Sequence, residues 1–81
     1  MTINERVKLI RTTHGLTQTE FGERIAVAQS YLASIENAQR DVTEKILKLI
    51  CITFDINENW LRTGEGEMLA ENEFGFNFGA S

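Results

Sequence analysis

The sequence predicts an all-α fold of five short helices, followed by a short C-terminal tail. Apolar residues recur three and four positions apart through most of the chain, which is the spacing of one buried helix face. Thr or Asn stands before four of the five helices, where its side chain can cap the first turn. The 81 residues include no proline, which agrees with a small, mostly helical domain.

Helix 1 is expected from about Asn4 to Thr13. Thr2 and Glu5 have the spacing of a capping box, and Gly15 stands where a left-handed residue ends a helix. The buried stripe of this helix has intervals of four and three residues: Ile3, Val7 and Ile10. We expect three basic residues on its polar side: Arg6, Lys8 and Arg11.

The stretch from Leu16 to Asn37 organises the chain, because it predicts two short helices joined by a tight turn. Thr17 and Glu20 have the spacing of a second capping box. Leu16 and Phe21 flank that box as a hydrophobic staple. The turn itself is formed by three small or apolar residues, the middle one pointing inward: Ala26, Val27 and Ala28.

The second helix of this stretch has two different sides. Leu32 and Ile35 lie three positions apart and form its buried side, and Gly22 in the preceding helix indicates that the second helix crosses closely. The opposite side is small and polar, as a helix facing a groove requires: Gln29, Ser30, Ala33 and Ser34.

Two further helices are expected after this stretch. Thr43 caps helix 4, which ends near Phe54 and has a core stripe of Leu47, Ile50, Cys51 and Phe54. Asn57 caps helix 5, which contains Trp60 as the last large core residue and ends at Gly64. A second apolar side of helix 4 needs cover from a partner subunit or from the tail: Ile46, Leu49 and Ile52.

The domain is assigned to residues 1–66 and the tail to residues 67–81. Aromatic residues in the tail alternate with other residues, which favours an extended strand with one apolar face: Phe74, Phe76 and Phe78. Three states stay open for the tail. It is disordered, as chain ends often are, or it docks on helix 4 of its own or a partner subunit, or it recruits another protein.

Composition argues against several classes of protein. A membrane span needs about eighteen consecutive apolar residues, and neither that run nor a signal segment is found in the sequence. One cysteine fits the reducing bacterial cytoplasm, where we expect the protein. His14 is expected to be a solvated loop residue. With one His and one Cys, we expect no metal, no cofactor, no small-molecule substrate and no enzymatic activity.

Four short motifs occur in order in the central stretch: Leu16-Thr17-Gln18 with Phe21, Ile25-Ala26-Val27, Gln29-Ser30-Tyr31, and Ile35-Glu36-Asn37. Together they resemble the Xre/Cro-type helix-turn-helix regulators, a family that includes lambdoid phage repressors. The resemblance extends from about Arg6 to Met68. It implies a five-helix lambda-repressor-like domain whose third helix enters the major groove of DNA.

The chain departs from the family pattern at three alanines. The family often has Gly at the positions of Ala26 and Ala38, where the backbone is commonly left-handed. Alanine there costs roughly 1 kcal/mol if φ is positive, so either the local geometry differs or the chain tolerates the strain. Ala28 replaces the usual Ser or Thr cap of the recognition helix, which loses about 1 kcal/mol.

The resemblance implies a dimeric, palindrome-binding transcription regulator, such as a phage or mobile-element repressor or a Cro-like protein. Base reading is expected from one face of the recognition helix: Gln29, Ser30, Ala33 and Ser34. Phosphate binding is expected from residues around it: Arg11, Thr17, Gln18, Tyr31, Asn37 and Arg40. Dimer-interface candidates are Ile46, Leu49, Ile52, Trp60, Phe74, Phe76 and Phe78. Glu36 is expected to pair with a base such as Arg11 or Arg24.

The net charge of −4 is unusual for a DNA-binding protein, so its distribution matters. Residues 1–63 contain all eight Lys and Arg and eight of the twelve acidic residues, and are therefore neutral. A neutral domain is expected to have weaker non-specific affinity for DNA than a basic one.

An alternative of another class is an antitoxin or a protein-docking adaptor, whose partner would be a toxin or an anti-repressor. The neutral domain, the missing cap and the aromatic tail favour it. An antitoxin would still bind DNA, so binding to no duplex at all would indicate a protein-docking adaptor.

Overall fold

The computed structural model of the chain describes residues 1–70, and in that range it confirms the predicted all-α fold. Its helices are α1 Ile3–Thr13, α2 Gln18–Arg24, α3 Gln29–Glu36, α4 Glu44–Phe54 and α5 Glu58–Thr63. The β-structure within these residues is one isolated antiparallel bridge between Ile56 and Leu69. No helix of the described range is long and apolar enough to cross a membrane.

The starts of α1, α2, α4 and α5 agree with the sequence because a side chain close to each of these starts accepts a hydrogen bond from a free backbone N–H group. Thr2 Oγ1 accepts from the Glu5 N–H at 3.1 Å, and Glu5 Oε1 accepts from the Thr2 N–H at 2.7 Å. Thr17 and Glu20 repeat this reciprocal pair at 3.1 and 2.9 Å. Single side-chain caps begin the last two helices, at Thr43 and Asn57. Each cap contributes about 1 kcal/mol.

All five helices contribute to one apolar core. The ring of Phe21 in α2 stacks on that of Phe54 in α4, with centroids 4.6 Å apart. The four helices other than α2 contribute fully buried aliphatic side chains: Val7, Ile10, Leu32, Ile35, Leu47, Ile50 and Leu61. The predicted core stripe of α4 is confirmed at Leu47, Ile50 and Phe54, which are buried. Cys51, at the edge of the stripe, is half-buried.

Arg6 corrects the expected polar side of α1, because its side chain is only 7% exposed. Its Nε donates to the Leu61 carbonyl at 2.9 Å and its Nη2 to the Arg62 carbonyl at 3.1 Å. Its Nη1 donates to the Met1 carbonyl at 2.6 Å. The last carbonyls of α5 carry partial negative charge. The buried guanidinium therefore closes that helix end and ties it to the N-terminus.

Fewer residues on the second apolar side of α4 are exposed than the sequence predicts. Ile46 is buried in the core of the single chain, and so is Trp60, although both are expected at a dimer interface. Leu49 is half-buried against the core. Ile52 stands apart, since 77% of its side chain is exposed.

The start of the tail attaches to the domain. The Asn57 N–H donates to the Met68 carbonyl at 2.8 Å, and the Ala70 N–H donates to the Asp55 carbonyl at 2.7 Å. Backbone pairing thus continues beyond the boundary expected at residue 66, as far as Ala70. Phe74, Phe76 and Phe78 lie outside the described residues.

Replacing Arg6 tests how much the buried guanidinium stabilises the fold. Arg6→Met keeps an apolar stem but leaves three carbonyls without their donor, so we expect the free energy of unfolding to fall by about 2–3 kcal/mol. Urea denaturation followed by circular dichroism measures it. Arg24→Met is the matched control, because Arg24 is exposed. Equal stability of the two variants would show that the Arg6 hydrogen bonds contribute nothing.

Candidate nucleic-acid interface

The α2–turn–α3 unit is held together by a close contact at Gly22. A Cβ atom on Gly22 would lie 2.7 Å from the Val27 carbonyl oxygen, and the Gly22 carbonyl accepts from the Val27 N–H at 2.9 Å. The sequence indicates a close helix crossing at Gly22, but the nearest neighbour is the backbone of the turn. The missing side chain therefore sets the angle at which α3 leaves the turn.

Two explanations are open for alanine at positions 26 and 38, a different backbone geometry or tolerated strain, and the structure supports tolerated strain. Ala26 has φ 61° and Ala38 has φ 62°, both in the left-handed region where a side chain costs about 1–2 kcal/mol. Ala28 has extended backbone geometry and provides no side-chain hydrogen bond to α3, as expected. The turn and the loop after α3 thus keep a geometry suited to glycine.

The exposed face of α3 begins with its two most accessible polar residues, Gln29 and Ser30. Ala33 is half-buried further along the face. Ser34 Oγ donates to the Tyr31 carbonyl at 2.6 Å and accepts from Arg40 Nε at 3.0 Å. Ser34 is therefore engaged with its own helix and the following loop, whereas Gln29 and Ser30 project outward.

A chain of hydrogen bonds leads from Gln29 into the protein. Gln29 Nε2 donates to Gln18 Oε1 at 2.6 Å, and Gln18 Nε2 donates to Glu36 Oε1 at 3.0 Å. Arg11 donates to both oxygens of Glu36, from Nε at 2.7 Å and from Nη2 at 3.0 Å. The Glu36 side chain is 2% exposed. The expected partner of Glu36 is thus Arg11 rather than Arg24.

Arg11 is turned inward by this pairing. Its remaining Nη1 donates to the Leu16 carbonyl at 2.9 Å, and the hydrogen bonds to Glu36 raise the pKa of the guanidinium above its ordinary value. Three of its five N–H groups therefore donate inside the protein, and phosphate binding by Arg11 stays a prediction for the other two.

The remaining phosphate-binding candidates lie at the two ends of the unit. Thr17 is exposed and Gln18 half-buried at the start of α2, while Asn37 and Arg40 are exposed after α3. The guanidinium of Arg40 lies over the ring of half-buried Tyr31, 4.4 Å from its centroid. This contact holds one cation beside the recognition helix.

Asn4 is a supporting residue that sequence analysis missed. From α1 its Nδ2 donates to the carbonyls of Ile35 and Arg40, both at 2.9 Å. These bonds fix the loop after α3 on α1. The sequence carries no signal for this role, since the partners are 31 and 36 residues away.

His14 and Cys51 lie away from this face. His14 is exposed, its Nδ1 lies 2.8 Å from the Ile10 carbonyl oxygen, and its ring meets Phe54 edge-on at 5.0 Å. Burial raises the pKa of the Cys51 thiol. Within residues 1–70 no group of three His, Cys, Asp or Glu side chains is placed to hold a metal ion.

Comparison with known proteins points to one family. Residues 7–61 match the helix-turn-helix family HTH_3. An immunity repressor protein of Bacillus phage phi105 is 29% identical over 77 residues, which cover 95% of this chain and 53% of the phage protein. The antitoxin PezA of Streptococcus pneumoniae serotype 4 is 31% identical over 67 residues, covering 83% of this chain and 42% of the antitoxin. The chain thus spans about half the length of these relatives.

A solved structure shares the fold. It is the P22 c2 repressor protein in complex with a synthetic operator, with a TM-score of 0.72 and 15% sequence identity. The alignment covers 80% of this chain and 98% of that one. The likeness confirms the five-helix lambda-repressor-like architecture expected from the sequence.

Gly22→Ala tests the close contact in the turn. The added methyl group would meet the Val27 carbonyl, so the turn must move, and this overpacking outweighs the gain of about 1 kcal/mol from helix propensity. We expect the free energy of unfolding to fall by about 1–2 kcal/mol, measured by urea denaturation. Glu23→Ala at the next, exposed position should change it by less than about 0.5 kcal/mol. A Gly22→Ala variant as stable as wild type would contradict the contact.

Proposed function

The chain belongs to the helix-turn-helix family HTH_3, and from that membership we propose that it is a sequence-specific transcription regulator that binds double-stranded DNA as a homodimer. The observation that carries the proposal is the pairing of Gln29 with Gln18 at 2.6 Å. This pairing places two side-chain amides together at the first turns of α2 and α3, outside the core. The function is one of binding, with no catalytic step.

Base reading is assigned to the exposed face of α3. An α-helix fits the major groove, where each base pair displays a distinct set of donors and acceptors. Gln29 has an oxygen and an N–H group left for adenine N6 and N7, the bidentate pairing that glutamine makes. Ser30 offers a short donor or acceptor, and the Ala33 methyl group suits a thymine methyl. Ser34 contributes mainly by positioning Arg40.

Backbone binding is assigned to the two ends of the helix-turn-helix unit. Thr17 and Gln18 approach one phosphate group at the start of α2, where helix N–H groups favour an anion. Asn37 and Arg40 approach another phosphate group beyond α3. Because residues 1–63 are neutral overall, non-specific affinity and its salt dependence should be modest.

The proposed dimer follows from the size of the site, since one domain reads about half an operator. Two-fold related domains contact half-sites about 34 Å apart on one face of the duplex. Ile52 is 77% exposed on α4, and Leu69, which forms the isolated bridge with Ile56, is 57% exposed. These side chains, with half-buried Leu49, are the proposed interface. A phage or mobile-element repressor working in the bacterial cytoplasm fits this arrangement.

The second candidate is an antitoxin, which the likeness to PezA supports. In that case a toxin protein would bind the same chain in addition to DNA. Co-purification with the product of a neighbouring gene distinguishes this candidate from a regulator that acts alone.

Selection of bound duplexes from a random-sequence pool tests the proposed function. We expect enrichment of a palindrome whose half-sites are one helical turn apart. A salt titration then compares the enriched duplex with a scrambled one. Failure to enrich any sequence would reject a DNA-reading function and leave protein docking.

Gln29→Ala tests base reading by α3. We expect the variant to lose about 1–3 kcal/mol of binding free energy on the enriched duplex and to accept other bases at one position of each half-site. Fluorescence anisotropy on both duplexes measures this. Gln39→Ala is the matched control, because Gln39 is an exposed glutamine in the loop after α3. An equal loss on scrambled DNA would refute base reading by Gln29.

Ile52→Lys tests the proposed interface. The side chain is exposed in the single chain, so the substitution should preserve the fold, but a charge within an apolar interface disfavours association. We expect the dimer dissociation constant to rise at least about tenfold, measured by sedimentation equilibrium. Thr53→Lys adds the same charge at the next exposed position and should have little effect. Unchanged association of Ile52→Lys would place the interface elsewhere.

A further inference from the structure

We infer that Glu36 is a positioning residue that fixes the direction of the two glutamine amides and thereby sets which base pair Gln29 accepts. The inference rests on the proposed function, since it takes Gln29 to read a base. It assigns Glu36 no contact with DNA. The carboxylate acts through Gln18, from a position 2% exposed.

The chemistry of the Glu36 carboxylate determines the direction of the neighbouring amide. Both Glu36 oxygens accept hydrogen bonds from Arg11, at 2.7 and 3.0 Å, and an ionised carboxylate offers acceptors only. The neighbouring Gln18 amide, 3.0 Å away, must therefore turn its NH₂ group toward Glu36. The reverse orientation would bring two acceptors together.

Gln18 transmits this direction to the exposed amide of Gln29. With its NH₂ group facing Glu36, Gln18 presents its oxygen to Gln29, which donates to it from Nε2 at 2.6 Å. Two groups of the Gln29 amide then stay free. Its second N–H lies on the side that faces Gln18, and its oxygen lies on the opposite side. The order of acceptor and donor along the groove is thus imposed from a buried group.

The order of acceptor and donor on the Gln29 amide determines which base pair it can match. An A·T pair and a T·A pair display the same adenine groups in the major groove in opposite order. An amide held in one direction offers one order of donor and acceptor, whereas an amide free to turn by 180° offers both orders and discriminates less between the two pairs. Glu36 should therefore govern the preference for A·T over T·A at the pair that Gln29 contacts.

Glu36→Gln is the decisive substitution, because it keeps the shape and replaces one acceptor with a donor. An amide at this position can offer either group to Gln18, so the imposed direction is lost. The enriched duplex is compared with a duplex in which the contacted A·T pair of each half-site is inverted. The expected result is a loss of roughly tenfold in the preference between them, with binding to scrambled DNA retained.

A matched control separates this effect from the loss of an ion pair. Glu44 receives two hydrogen bonds from Arg62, at 2.7 and 2.6 Å, on an exposed surface of α4 and α5. Glu44→Gln therefore makes the same chemical change outside the chain of hydrogen bonds. It should leave the preference intact.

A second variant covers the case in which Glu36→Gln does not fold. Gln18→Leu cuts the connection between Glu36 and Gln29 but keeps the ion pair with Arg11. It should lower affinity for all duplexes, through lost phosphate binding, and also remove the A·T preference. Circular dichroism confirms folding before each binding measurement.

The outcomes separate the inference from the proposed function. If wild type discriminates between the duplexes and folded Glu36→Gln discriminates equally well, the inference is overturned and the proposed function stands. If wild type enriches no duplex from the pool, the proposed function and the inference both fall. Loss of preference in Glu36→Gln and Gln18→Leu, with Glu44→Gln unaffected, supports the inference.

Discussion

The ion pair between Arg11 and Glu36 is the interaction on which the arrangement of the site depends. It joins α1 to α3, and Glu36 also accepts a hydrogen bond from Gln18 in α2. Three helices therefore meet at one carboxylate that is 2% exposed. Removing one partner of a buried pair leaves an uncompensated charge, at a cost of about 3–5 kcal/mol. The same group that orders the helices thus orders the exposed amides.

The positions of the helices were predictable because their signals are local. Each capping box, such as Thr2 with Glu5, joins residues three positions apart, and each apolar stripe repeats within one helix. The sequence predicts the wrong environment for Arg6 because its partners, Leu61 and Arg62, are 55 and 56 residues away. From the local pattern alone, a basic residue beside a buried stripe is predicted to be solvent-exposed, because the carbonyls that bind it lie far away in the sequence. The burial of Ile46 within the single chain likewise depends on packing between helices, which the local pattern does not show.

The candidate site was predicted in part. Gln18 and Gln29 could be named from the sequence because they stand at the first turns of two predicted helices. Glu36 could be paired with a base but not with one particular arginine, and its hydrogen bond to Gln18 joins residues 18 apart. The inward direction of Arg11, the role of Asn4 and the engagement of Ser34 depend on tertiary contacts. Local patterns therefore predict which residues lie at the face, and packing between helices determines the contacts that each side chain makes there.

In the proposed function, duplex DNA binds where Gln18 and Gln29 meet. The most direct measurement follows the side-chain amide signals of the ¹⁵N-labelled protein by NMR while an enriched or a scrambled duplex is added. We expect the Gln18 and Gln29 signals to shift strongly with the enriched duplex and less with the scrambled one, while those of Asn59 on α5 stay in place. Shifts confined to α4 and α5, with both glutamine signals unchanged at saturation, would contradict it.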